Sequence, residues 1–130
     1  KHIMSHFTTV KTKFTDQNTL VESLKELGYN QAMIGKFQCR GYQGNQTTVD
    51  ILIKLQGDYD IGFTKNADSY EMVADWYGIK SISQLELTNK LNQKYSILST
   101  KQELKKKGFS LNEETLSNGT VRLVARKLGS

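Results

Sequence analysis

Between residues 48 and 55 the chain alternates with a period of two. Val49, Ile51, Ile53 and Leu55 fall on one side, and Asp50, Leu52 and Lys54 on the other. Successive side chains of a strand point to opposite faces, so this pattern describes a strand with one face on a core. Turn formers bound the run: Gly41, Gly44 and Asn45 precede it and Gly57-Asp58 follows. It is therefore expected to pair upstream with residues 36–42 and downstream with Tyr59-Asp60-Ile61-Gly62-Phe63, each time as a hairpin. Lys65-Asn66-Ala67-Asp68 makes a further turn, and residues 70–76 read as another returning strand, with the start of a helix as the alternative because of the spacing of Tyr70, Val73 and Ala74. Residues 7–14 supply an opening strand with Thr8, Val10, Thr12 and Phe14 on one face.

Two segments change to helical spacing. Asp16 caps the first, where Leu20, Val21, Leu24 and Leu27 form the apolar stripe and Gly28 takes the terminal left-handed position. The second opens on the capping box Ser83-Gln84-Leu85-Glu86. It carries Leu87, Leu91, Tyr95 and Leu98, then runs through Lys105-Lys106-Lys107 to Gly108. Residues 109–116 and 121–127 flank Ser117-Asn118-Gly119-Thr120, a strong hairpin signal. The expected fold is one α+β domain over residues 4–127: a single antiparallel sheet, mostly hairpin-connected, with two helices packed on one face. Lys1-His2-Ile3 ahead of Met4 reads as a vector-derived leader, and Gly129-Ser130 as a cloning scar.

Composition narrows the chemistry. An apolar fraction of 37% in 130 residues leaves roughly 48 apolar side chains, enough for one core. No apolar run approaches the ~20 residues that a membrane-spanning helix needs. The single cysteine, Cys39, excludes a disulfide within the chain and a multi-cysteine zinc site. Its place in a strand suits a small buried thiol, with Arg40 directed to the other face. Asp58, Asp60, Asp68, Glu71 and Asp75 are dense, but they follow no calcium-loop pattern and are expected to be solvated turn and edge acids. Neither a metal nor a cofactor is expected. There is no nucleophile elbow, phosphate loop or dinucleotide fingerprint, so an enzyme is disfavoured.

The net charge of +5 comes mostly from lysine, with Arg40, Arg122 and Arg126 the only arginines. Lysine lacks the planar fork that reads bases, and the triple lysine fits a helix C-terminus, where cations complement the macrodipole. Aromatics on a sheet can stack bases, but the RNA-binding sheet signature is missing, so nucleic acid is disfavoured as a partner.

Met4-Ser5-His6-Phe7-Thr8-Thr9-Val10-Lys11-Thr12, Tyr59-Asp60-Ile61-Gly62-Phe63, Tyr70-Glu71-Met72-Val73-Ala74-Asp75 and Leu91-Asn92-Gln93-Lys94-Tyr95 resemble the conserved hypothetical chloroplast reading frame thirty-five family. This is a domain of unknown function in cyanobacteria and algal plastid genomes. Lys94 and Ser96 stand where that family commonly has arginine and alanine. The resemblance implies a protein of the plastid stroma or the cyanobacterial cytoplasm, and supplies no activity.

The leading reading is a non-enzymatic accessory domain with a protein partner, recognised through one sheet face or by strand addition at a sheet edge. The candidate binding residues are His6, Lys11, Asp60, Glu71, Asp75 and Tyr95. Glu71 and Asp75, four apart, would share a face of an extended segment. One alternative is a small-ligand or nucleotide regulator, with a pocket under Tyr95 and Trp76 between sheet and long helix. Another is an RNA-associated factor, which would require Lys11, Lys13, Lys36 and Arg40 to cluster.

Overall fold

The computed structural model describes residues 6–128, so residues 1–5 and 129–130, on which the expected leader and scar fall, lie outside the described residues. The elements follow in the order β1 (Thr8–Lys11), α1 (Gln17–Glu26), β2 (Met33–Arg40), β3 (Gln46–Lys54), β4 (Asp60–Asn66), β5 (Ser69–Ala74), α2 (Gln84–Lys106), β6 (Phe109–Thr115) and β7 (Val121–Lys127). Five strands form one antiparallel sheet in the order β1-β5-β4-β3-β2. The hairpins β2–β3, β3–β4 and β4–β5 sit where the turn residues put them. β1 does not pair with its neighbour in sequence: α1 carries the chain across, and β1 closes the far edge beside β5.

Both helices start and stop on the signals in the sequence. The Asp16 carboxylate accepts from Thr19 N at 2.8 Å, and that bond holds the Asp16 carboxyl below its ordinary range. Ser83 Oγ accepts from Glu86 N at 3.1 Å. Gly28 and Gly108, with φ of +103° and +88°, end the two helices.

Cross-strand pairs Ile53↔Ile61↔Ala74 and Ile51↔Phe63↔Met72↔Val10 build one apolar face. Leu20, Val21 and Leu24 of α1, with Leu87 and Leu91 of α2, pack on it. Both helices thus lie on one face, as expected. Ile97 is the third buried residue of α2, and the neighbouring Leu98 is half-buried.

Val49 departs from the alternation. A bulge at Gly35 and Lys36 shifts the β2–β3 register, and such a bulge sharpens the local twist. Val49 lies beyond the last β3–β4 pair, Ile51↔Phe63, and there it joins Cys39, Leu52 and Val73 in a smaller core on the side opposite Ile51 and Ile53.

The expectation of a single sheet is corrected. β6 and β7 form a separate two-stranded sheet. The reason is the length of α2: its 23 residues span about 34 Å, longer than any strand of the main sheet. Gly108 turns the chain straight back into β6, so the hairpin reaches only the C-terminal part of the helix. It is tied there by Lys101 Nζ to Glu113 Oε2 at 2.7 Å and by Leu128 N to Gly108 O at 2.7 Å. Its turn holds only Gly119 at positive φ, +87°; Asn118 instead accepts from Thr120 N. A Cβ on Gly119 would touch nothing within 4 Å, so Gly119→Val acts through backbone strain alone. The expected result is faster amide exchange across β6 and β7 with the five-stranded sheet unaffected. Unchanged exchange in the hairpin would refute the strained turn.

Candidate functional site

The six residues proposed from sequence fall into three places. His6, Asp60 and Asp75 gather at one end of the sheet around the β2–β3 connection. Lys11 and Tyr95 line a groove between the end of β1 and α2. Glu71 stands apart: it pairs in register with Lys11 and Thr64 and accepts from Asn66 Nδ2 at 3.2 Å.

Asp60 and Asp75 correct the expectation of solvated acids, because both are fully buried. Asp60 begins β4, next to the turn, where it reads as solvent-facing in sequence. In the fold its Oδ2 accepts from Arg40 N and Arg40 Nε, each at 2.9 Å, and its Oδ1 from Arg40 Nη2 at 2.8 Å. Asp75 follows β5 and accepts from Tyr42 N at 2.9 Å and Tyr77 N at 3.2 Å. Glu71 and Asp75 therefore share no partner, because the chain turns at Asp75 into a 3-10 turn, Trp76–Gly78.

The two buried carboxylates pin the segment from Arg40 to Tyr42, and Gln43 beside it is held at φ +52°. Asp75 also sets two aromatic rings in place. The His6 ring stacks on Tyr42 at 4.5 Å and 10°, and Tyr77 meets both edge-on at 5.7 and 5.8 Å. Every oxygen of the two carboxylates accepts a hydrogen bond, and these bonds hold this end of the sheet together. Sequence reasoning missed Arg40, Tyr42 and Tyr77 as partners here. The one local signal was Asp75 two residues before Tyr77, an Asx-turn spacing.

The groove is built differently. Lys11 ends β1, and Thr12, Lys13 and Phe14 continue along β5, with Thr12 Oγ1 donating to Tyr70 O at 2.6 Å and Tyr70 N to Phe14 O at 2.8 Å. Tyr95 joins the two walls: its ring lies 4.6 Å from Phe14, and its hydroxyl accepts from Thr15 N and Asp16 N at 3.1 and 3.0 Å. Thr88, Asn92, Ser96, Ser99 and Thr100 complete the helix wall around a cavity of about 560 Å³. Those positions recur at helical spacing, a hydroxyl and amide stripe that was legible in the sequence. Trp76 is not part of this groove, so the pocket proposed under Tyr95 and Trp76 does not form as one site.

The basic residues do not cluster as an RNA face would require. Lys36 pairs with Asp50 and Arg40 with Asp60, while Lys11 and Lys13 stand at the groove. Cys39 is buried, and burial pushes its thiol up to about 12, which leaves it protonated and unreactive at neutral pH. Among the described residues, no group of three His, Cys, Asp or Glu side chains could hold a metal ion, and no helix is long and apolar enough to cross a membrane.

Residues 23–124 match a family described as a protein of unknown function, DUF1257. The chain belongs to the DUF1257 family. Among its relatives are the proteins called uncharacterized protein ycf35 of Pyropia yezoensis, 36% identical, and of Cyanophora paradoxa and Guillardia theta, each 32% identical. Each alignment covers 95% of this chain and 98% of the relative. These bear out the resemblance read from the opening strand and the Tyr59–Phe63 block, and place the family in plastid-encoded proteins. No solved structure matches the chain. The match to DUF1257 begins within α1 and ends within β7, so it takes in β2 to β5 and all of α2.

Proposed function

We propose that this DUF1257 protein is a non-enzymatic accessory protein of the plastid stroma or cyanobacterial cytoplasm, and that it binds an extended segment of a partner protein by strand addition. The observation that carries the reading is the edge position of β1. It pairs only with β5, so alternate residues turn their N–H and C=O groups outward, and the chain then runs on as one wall of a groove. The non-enzymatic part is supported by Asp60 and Asp75, whose oxygens are taken up internally, and by the buried Cys39 thiol.

Thr9 and Val10 provide the test. They are consecutive in β1, so one directs its N–H to β5 and the other directs it outward. Thr9→Pro and Val10→Pro are compared for thermal melting and for co-purification from the native organism. The proline that removes the outward N–H is expected to leave the melting temperature nearly unchanged and to lose the partner. The other should destabilise the fold. Retention of the same partner by a folded variant of each would refute recognition at this edge.

A further inference from the structure

The groove beside β1 also carries information about what would lie in it. Its lining contains two charged residues, Lys11 and Lys13, and no carboxylate. Both lysines are exposed, and among the described residues neither takes part in an ion pair. Some lysines elsewhere are neutralised by a partner: Lys36 by Asp50, Lys94 by Glu26 and Lys101 by Glu113. The opposite wall offers neutral hydroxyls and an amide from Asn92, Ser96, Ser99 and Thr100.

We infer that the segment taken up at the β1 edge is acidic: an extended stretch of about five residues rich in Asp and Glu, whose carboxylates meet Lys11 and Lys13. This inference rests on the strand-addition reading above. The length follows from the helix wall, since Thr88 to Thr100 covers about 18 Å at 1.5 Å per residue, and an extended chain advances about 3.3 Å per residue. The sign follows from charge complementarity. An incoming strand with lysine or arginine opposite Lys11 and Lys13 would be repelled, while an acidic one neutralises them. Lysines on a short edge strand ordinarily keep unrelated strands away, so the same two residues that block general pairing would select an acidic one.

RNA is the competing polyanion, and the groove lacks what a single strand uses. The Phe14 ring is buried, and the half-buried Tyr95 ring is packed against it with its hydroxyl engaged, so the groove offers no row of exposed rings on which successive bases could stack. No arginine lines the groove.

The experiment is a selection of random nonapeptides displayed on phage against the whole protein, repeated with the double variant K11E/K13E. The best peptides are then mapped by shifts of backbone amide resonances. Both lysines are exposed, but K11E sets a second acid opposite Glu71, so melting and affinity are also measured for K11Q/K13Q, which removes the charges without adding any and should melt like the parent. The expected result is enrichment of Asp and Glu, shifts centred on residues 8–14, and a loss of affinity of about tenfold for those peptides in K11E/K13E. Peptides that map to residues 8–14 without acidic enrichment would overturn the charge preference and leave strand addition standing. No selected peptide, or peptides that map elsewhere, would overturn both. A titration with hexauridine is the last arm: tighter binding of that oligonucleotide than of any peptide at residues 11–13 would overturn the inference in favour of RNA.

Discussion

Replacing Arg40 by Met is expected to destabilise the domain by about 3 kcal/mol, the lower end of what breaking a buried ion pair costs. The Asp60 side chain is 1% exposed and the Arg40 side chain 30%. Without the guanidinium, the Asp60 carboxylate stays buried with only the Arg40 main-chain N–H as donor, because both side-chain bonds disappear. The partly exposed arginine and the surviving N–H put the effect at the low end. In a domain of this size that is a fall in melting temperature of roughly 10 °C. Removing both charges, as Arg40→Met with Asp60→Leu, should recover much of the loss, since the desolvated carboxylate is then gone. Urea unfolding of the two single variants and the double variant measures this. An Arg40→Met protein that unfolds like the parent would show that the pair does not hold the β2–β3 connection.

A comparable loss is expected from Gly62→Ala, for a steric reason. Gly62 lies in β4 between Leu52 of β3 and Val73 of β5, on the face of the smaller core. A Cβ there would stand 2.5 Å from Val49 Cγ1 and 2.8 Å from Val49 Cβ. Val49 cannot avoid it by changing rotamer, because its own Cβ is in the way. Overpacking of this kind in a close-packed interior costs about 1–3 kcal/mol. The decisive measurement is a double-mutant cycle with Val49→Gly. The pair should cost less than the sum of the single changes by more than about 1 kcal/mol. Strict additivity would mean that Val49 does not lie over Gly62.

The boundaries of the elements were legible because their determinants are local. An Asp three residues before the N–H it caps, a Gly where a helix must turn left-handed, and alternation from Ile51 to Ile53 act within a few residues, and the chain obeys them at Asp16, Gly28, Gly108 and in that part of β3. The resemblance to the ycf35 proteins was equally legible, in the residues of the opening strand and of β4.

What only the tertiary structure decided lies between residues far apart in the chain. An aspartate beside a turn reads the same in sequence whether water or protein solvates it. Asp60 is buried because Arg40 arrives from 20 residues away, and Asp75 because the Tyr42 N–H arrives from 33 away. Alternation assigns Val49 to the face of Ile51, but beyond the last β3–β4 pair it packs with Cys39, Leu52 and Val73 on the other, company that only the neighbouring strands supply. The terminal hairpin formed as its Asn-Gly turn required. Whether it joined the sheet depended on where a helix of about 34 Å set it down. The candidate groove has the same origin: Lys11 and Tyr95 are unrelated in sequence and share a site because β1 lies at the edge next to α2. Local rules choose elements, and burial and pairing choose their company, because those free energies depend on what the rest of the chain brings alongside.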